Sequence, residues 1–438
     1  MTAADDERSR HRPASGGERL GGDYWRLLGA SALGNLGDGV ALVALPWYAS
    51  TLTDDPLAVA AVGAATRLPW LLMALVAGVV GDRVDRRRLM AFSGGGKAMV
   101  LVALAVLVAA DTAGVGTVVA AALLVGVCEV LFDNTAQALL PSVVPRERLE
   151  RANGTLFSVG EVASRFVGAP VAGLLVTVSA AWAFGAQAAL VACAVLVLLT
   201  LRGGPRRFGP EGKEGEEEHP PMRVMLAEGV VWLWRHRLLR TLALVLALSN
   251  LAGTMNSAIL VLFAQDVLGL GPRGYGLLLT ATAAGMIVGA QFVPWLIPRV
   301  PPGATLTLAL AVQGAAYTAV AVFPSVALFA VLWVVVGFAV VWWNVLTLSL
   351  RQRVIPDRLL SRVLSAYRTL GWGAAPIGMA LGGGVAAALE GVVGRTAALS
   401  APFLVSGALS FALVVVAARH LTTAAVERAL AGAERARE

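Results

Sequence analysis

Apolar runs of span length recur from one end of this chain to the other, and no other feature limits its fold as tightly. Each run reaches about 20 residues, enough to cross a bilayer hydrocarbon core of about 30 Å. Only helices and closed barrels satisfy their backbone hydrogen bonds in that core. The runs are rich in Ala, Leu and Val and do not alternate apolar with polar residues, so they read as helices rather than barrel strands. Charged residues are 14% of the 438, well below the about 25% that covers the surface of a soluble domain. The expected fold class is an all-α polytopic membrane protein with 12 transmembrane helices.

The spans fall at 25–50, 57–80, 90–110, 114–139, 153–177 and 180–201, then at 238–266, 274–297, 304–323, 325–349, 362–389 and 394–418. This divides the chain into an N-terminal tail (1–24), a six-helix bundle (25–201), a linker (202–237), a second bundle (238–418) and a C-terminal tail (419–438). The Gly-, Pro- and Glu-rich stretch from Gly203 to Met222 is a linker by composition. Residues 223–237 mix Val224, Leu226, Val230, Trp232 and Trp234 with arginines, the pattern of an amphipathic interfacial helix. A short surface helix is expected after Arg419.

Loop arginines set the expected topology. Arg83 with Arg86–Arg88, Arg146 with Arg148 and Arg151, Arg202 with Arg206 and Arg207, and Arg351 with Arg353, Arg358 and Arg362 all fall on one side. The opposite short loops carry only Arg273 and Arg395. By the positive-inside rule both termini lie in the cytoplasm. The same placement explains the net charge of +7 without a nucleic-acid partner. Lysine at Lys97 and Lys213 alone, against abundant arginine, fits a GC-rich bacterial genome, and so a bacterial cytoplasmic membrane. Cys128 and Cys193 sit in apolar segments and imply no disulfide framework. The polar residues 1–23 and a first apolar run of full span length do not read as a cleavable leader.

Ionisable residues inside spans are costly, at least about 2.5–3.5 kcal/mol each on insertion scales, and so mark function or paired structure. Asp38, Arg67, Arg165 and Glu129 fall near the midplane, with Asp133 and Glu161 nearer the cytoplasm. Glu129, Asp133 and Gln137 recur every fourth residue and form one polar stripe. Asp38 or Glu129 is expected to pair with Arg67 or Arg165, and a carboxylate that loses such a partner would take up a proton. Static ion pairs that fix helix packing are the alternative, and either arginine would also serve an anionic substrate. Cavity candidates are Asn35 and Gln137 in the first half and Asn250, Asn256, Gln313 and Asn344 in the second. Trp25, Trp47, Trp70 and Trp295 read as interface-belt residues, and Trp342 and Trp343 as packing or belt residues.

The two halves carry matching features about 210–220 residues apart, as repeat architectures do. Val144-Pro145 with Leu149 and Arg151 recurs as Ile355-Pro356 with Leu360 and Arg362, and Asp38 aligns with Asn256. The stretch Gly78-Val79-Val80-Gly81-Asp82-Arg83-Val84-Asp85-Arg86-Arg87-Arg88 resembles the signature loop between the second and third helices of the major facilitator superfamily, with Asp85 where the family has a second glycine. The opening Gly34-Asn35-Leu36-Gly37-Asp38 and the run Glu228-Gly229 to Arg235-His236-Arg237 are similar to the branch holding the enterobactin exporter and macrolide efflux proteins. The resemblance covers nearly the whole chain. It implies two parallel six-helix repeats with substrate held between them, the plan of many transporters. It also implies a conformational-switch role for Gly78, Gly81, Asp82, Arg83, Arg86 and Arg87, with Asp82 reaching Arg362 or the helix start beside it; for Arg86–Arg88 a plain topological anchor is the alternative. In the fifth span, Gly160, Gly168, Pro170 and Gly173 resemble the superfamily's antiporter motif, with Ala169 and Leu174 in place of two glycines.

The resemblance therefore implies a secondary transporter that exports a drug-like or siderophore-like molecule in exchange for protons, with a monomer as the default state. A facilitator or lysolipid mover of the same fold, or a non-transporting membrane sensor, is the rival. No enzyme, cofactor or metal centre is implied. Ser93-Gly94-Gly95-Gly96-Lys97-Ala98 lacks both the spacing and the Ser/Thr of a phosphate loop.

Overall fold

The computed structural model describes residues 21–83, 85–144, 148–201, 222–356 and 359–435, and it is helical. Six membrane-length helices precede the 202–221 segment: α1 (Gly22–Leu52), α2 (Pro56–Arg83), α3 (Arg86–Ala109), α4 (Val115–Val143), α5 and α6 (Ala180–Leu199). The α5 helix runs from Leu149 to Val178 and contains a π-helical stretch, Val162–Gly168. A surface helix, α7 (Met222–Arg235), leads into six more spans: α8 (Arg237–Val267), α9 (Pro272–Arg299), α10 (Pro302–Val322), α11 (Val326–Val354), α12 (Leu360–Val393) and α13 (Arg395–His420). The closing helix α14 (Thr423–Arg435) is anchored by Val426, which is fully buried, and by a hydrogen bond from the Gly303 N–H to Thr423 Oγ1.

The same neighbours recur in both halves. In the first, α1 packs on α5 and α6, α2 on α4, and α3 on α4 and α6. In the second, α8 packs on α12 and α13, α9 on α11, and α10 on α11 and α13. Lipid tails give helices no hydrophobic reason to associate, so close backbone approach at small residues must supply the contact. A Cβ on Gly126 of α4 would stand 2.7 Å from the Thr66 carbonyl of α2. Gly285 and Gly337 interlock in the same way at the equivalent α9–α11 seam. Gly39 of α1 lies against the Ser164 backbone, and Gly378 and Gly382 of α12 lie against α8.

The halves meet along α2–α12 and α5–α9. At the arginine-poor end they are drawn tight. A Cβ on Gly173 would meet the Pro272 carbonyl at 2.6 Å, and one on Gly383 would meet that of Pro56 at 2.8 Å. Gln265 Nε2 donates to Ser50 Oγ at 3.0 Å, and Trp47 lies against Tyr275. Arg395 spans this end: its Nη1 donates to the Asp54 carbonyl at 2.9 Å and its guanidinium pairs with Asp266 and Glu390 at 2.7 Å. This arginine, an exception to the loop-charge bias, is thus neutralised by its neighbours. Toward the arginine-rich end the α2–α12 seam holds a cavity.

Trp342 and Trp343 are buried, 9% and 7% exposed, and so take the packing alternative rather than the belt one. One local expectation needs correcting. Trp70 lines the cavity rather than the lipid belt, whereas Trp25 and Trp295 are well exposed.

Candidate functional site

Near the midpoints of α1, α3 and α4 a buried charge cluster forms around Lys97. Its ammonium donates to Asp38 and lies 3.9 Å from Glu129, and its side chain is 7% exposed. Asp133, one turn along α4 from Glu129, stands in the same field, as does Arg67 of α2. An unpaired ammonium in this setting would be prohibitive, while one shared between carboxylates is tolerated. The glycine run before Lys97 is helical and explains the approach. A Cβ on Gly94 would strike Val195 of α6 at 2.5 Å, and one on Gly96 would touch Cys128 Sγ of α4 at 3.5 Å. Bare backbone here lets α3 sit deep between α4 and α6.

The midplane pairing expected from sequence is therefore corrected. The close ion-pair partner of Asp38 and Glu129 is Lys97, with Arg67 in the wider field of Glu129 and Arg165 engaged elsewhere. Arg165 instead bonds its own helix neighbour Glu161 at 2.9 Å, within the π-helical stretch of α5. The signal for Lys97 in the sequence is its place inside the third apolar run, behind glycines that imitate a phosphate loop.

The cavity, about 320 Å³, lies between the halves and is lined by Arg67 and Trp70 of α2, Asn134 of α4, and Ser365, Arg368, Thr369, Trp372, Gly373 and Ala375 of α12. Ser365, Arg368, Thr369 and Trp372 fall at i, i+3, i+4 and i+7, one face of α12. Arg368 was not anticipated; its position six residues into the span after Arg362 was the available signal. Trp70 also stands beside Glu129, although its indole N–H closes no hydrogen bond. The cavity and the charge cluster are thus neighbours through Arg67, Trp70 and Glu129.

The polar residues proposed from sequence as cavity groups are mostly engaged elsewhere. Asn256 is 2% exposed and accepts from Ser406 of α13, so it faces a helix seam, unlike its repeat counterpart Asp38. Asn250 donates to the Gly371 carbonyl of α12 at 2.8 Å, and Gln313 joins Ser249 and Tyr317. Asn35 donates to the Ser31 carbonyl and packs on Gly160. Asn344 is exposed on α11. The side chain of Gln137 lies outside the described residues.

Gly78, Gly81, Asp82 and Arg83 form the arginine-rich end of α2, and their side chains and that of Arg86 lie outside the described residues. Arg87 donates to the Leu199 carbonyl, at the C-terminal end of α6 where a cation is favoured. Asp85, the departure from the family glycine, caps α3 by accepting from the Arg88 N–H at 2.9 Å. Arg362 pairs with Glu228 of α7, while the side chain of Asp82, its expected partner, lies outside the described residues; Gly229 lets α7 rest on the Arg362 backbone, where a Cβ would come within 2.7 Å. Gly168 of the antiporter-like motif packs on Leu36 and Gly39 of α1, and Gly173 makes the inter-half contact with α9.

Residues 27–379 match the family model described as Major Facilitator Superfamily. The chain belongs to the major facilitator superfamily. It is a multi-pass membrane transporter, not an enzyme. It is 27% identical over 397 residues to the "Multidrug efflux pump Tap" of Mycolicibacterium fortuitum, covering 88% of this chain and 94% of the relative. Among solved structures, a point mutant of the nucleoside transporter NupG matches with a TM-score of 0.76 at 14% identity, covering 90% of this chain and 98% of that one. A bacterial homologue of the lysosomal transporter Spinster, in an inward-facing, unoccupied conformation, matches with a TM-score of 0.68 at 16% identity, covering 94% and 97%. At those identities the likeness carries the fold alone.

Proposed function

We propose that this transporter exports a small organic molecule across the bacterial cytoplasmic membrane in exchange for protons, as a monomer with both termini in the cytoplasm. The observation that carries the reading is the Lys97 cluster beside the inter-half cavity. Three carboxylates (Asp38, Glu129, Asp133) share two cations (Lys97, Arg67). A proton on one carboxylate balances the cluster and weakens its hold on Lys97. Because Lys97 ties α3 to α1 and α4, proton binding would bias the packing of the first half, and a bistable packing is what alternating access requires.

In this reading the tight arginine-poor end is the closed outer mouth, and the cavity is the substrate site reached from the cytoplasm. Arg67 and Trp70 connect the two. The glycines of the antiporter-like motif and the α2–α3 loop, with Asp82, Arg83, Arg86 and Arg87, are the elements on which the halves would rearrange. Relatedness to a multidrug efflux pump favours export and a drug-like cargo, a siderophore-like one being the other candidate. The glycine-rich opening of α1 and the Glu228-Gly229 helix favour the enterobactin-exporter and macrolide-efflux branch.

The test is efflux from pump-deficient cells and counterflow in proteoliposomes with an imposed pH gradient. Wild-type export should collapse with an uncoupler, and Asp38→Asn, Glu129→Gln or Lys97→Met should abolish gradient-driven export. Retained gradient-driven export in Glu129→Gln and Asp133→Asn together would remove the proton assignment, and flux insensitive to the uncoupler would point to a facilitator.

A further inference from the structure

The cavity has a chemical sign. Its charged lining residues are two arginines, one from each half, Arg67 of α2 and Arg368 of α12, and no carboxylate is among the described lining residues. Arg67 is shared with the field of Glu129 and Asp133 behind it, while Arg368 enters no ion pair among the described residues. Two indoles accompany them: Trp70 three residues beyond Arg67, and Trp372 four residues beyond Arg368, 59% exposed. Asn134, Ser365 and Thr369 add hydrogen-bonding groups. Guanidinium recognises carboxylate, sulfonate and phosphate oxygens in a fixed fork, and indole faces take flat apolar bodies. A volume of about 320 Å³ suits a small polycyclic molecule.

We infer that this cavity selects organic anions with a flat aromatic body, clasped between Arg67 of the first half and Arg368 of the second, and discriminates against cations of the same shape. The assignment rests on reading the cavity as the transport site. It gives the substrate a mechanical role: an anion bridging two arginines on opposite halves draws α2 and α12 together at the arginine-rich end. Its binding also competes with Glu129 and Asp133 for Arg67, so substrate and the proton cluster answer to the same guanidinium.

The two xanthene dyes fluorescein and rhodamine 6G share a tricyclic body and carry opposite charge. Equilibrium binding is measured by fluorescence polarisation to the full chain in nanodiscs, with empty nanodiscs subtracted and no gradient present. Fluorescein should bind at least about tenfold tighter than rhodamine 6G, Arg368→Gln and Arg67→Gln should each weaken fluorescein about tenfold, and Arg368→Lys, which keeps the charge but not the fork, should restore it only in part. Equal or tighter rhodamine binding, no binding of either dye, or fluorescein binding unchanged in the double Gln variant overturns the assignment. The wild-type comparison decides the sign of the site even where a variant fails to fold. Since binding needs no gradient, failure of proton coupling leaves this result standing, and failure here leaves the exporter reading to its own flux assay.

Discussion

The Lys97 ammonium of α3 donates to the Asp38 carboxylate of α1, with Glu129 of α4 at 3.9 Å, so one proton-rich group holds three helices at mid-depth. Removing the cation alone leaves two carboxylates uncompensated at mid-depth. Lys97→Met should cost about 3–5 kcal/mol, seen as a lowered thermal midpoint in detergent. Adding Asp38→Asn should recover much of that stability without recovering gradient-driven export. Equal stability of Lys97→Met and the wild type would remove the pair from the account.

Gly173 is where α5 touches the Pro272 carbonyl of α9 across the halves. Gly173→Leu should prop the arginine-poor mouth open while leaving each half folded. Transport should fall at least about tenfold, since a misfit of about 1 Å already costs about a hundredfold in positioned chemistry. A cysteine placed at Ser50, with Cys128 and Cys193 replaced by serine, should then react faster with an impermeant maleimide added from outside.

Arg395 ties Asp54 of the α1–α2 turn to Asp266 and Glu390. Arg395→Gln should cost little stability, about 1 kcal/mol or less, because the cluster is partly solvated. It should nonetheless raise the same Ser50-site labelling, with less effect than Gly173→Leu. Unchanged labelling would make this network a passive surface feature.

At the α7–α12 contact, charge and shape make separable contributions. Glu228→Gln should cost about 1 kcal/mol or less, since its pair with Arg362 is half exposed. Gly229→Val places a side chain against the Arg362 backbone, where a Cβ would stand at 2.7 Å, and should cost more than Glu228→Gln. Thermal midpoints of the two variants should rank in that order.

His236 sits outside the bilayer core and caps α8, its Nδ1 accepting from the Leu239 N–H at 3.4 Å while its ring stacks on Trp232. Burial pushes its imidazole below the usual histidine range. The folded chain therefore holds it neutral, whereas the unfolded chain protonates first, near pH about 6.5. This contribution is whole above that pH and is lost as pH falls through the unfolded and then the folded value. His236→Asn, a capping residue that does not titrate, should flatten the pH slope of thermal stability between about 6.5 and 5.

Much of this fold was legible along the chain, because membrane-spanning helices are specified by local sums of apolar residues. The Asp38, Glu129 and Asp133 carboxylates and Arg67 stood out for the same reason: a charge inside an apolar run is conspicuous wherever it points. Their partners were not legible. Lys97 is no less buried than Asp38, yet nothing local says that α3 sinks between α4 and α6 at Gly94 and Gly96. Asn256 aligned with Asp38 in the repeat, but Ser406 of α13 takes it. Arg368 lay too near an arginine-rich span start to be told from a topological anchor.

The sequence by itself determined that twelve helices cross a bilayer, that the loop charge is lopsided, and that a few ionisable groups are kept in apolar surroundings. Those are sums over neighbouring residues, and lipid enforces them one span at a time. Only the tertiary structure decided that Lys97 joins Asp38 and Glu129, that Arg67 and Arg368 face one cavity from opposite halves, and that the halves are drawn tight at the arginine-poor end. Each of those depends on how far every helix is rotated and how closely bare glycine backbone lets its neighbour approach, and that is settled between helices rather than along one.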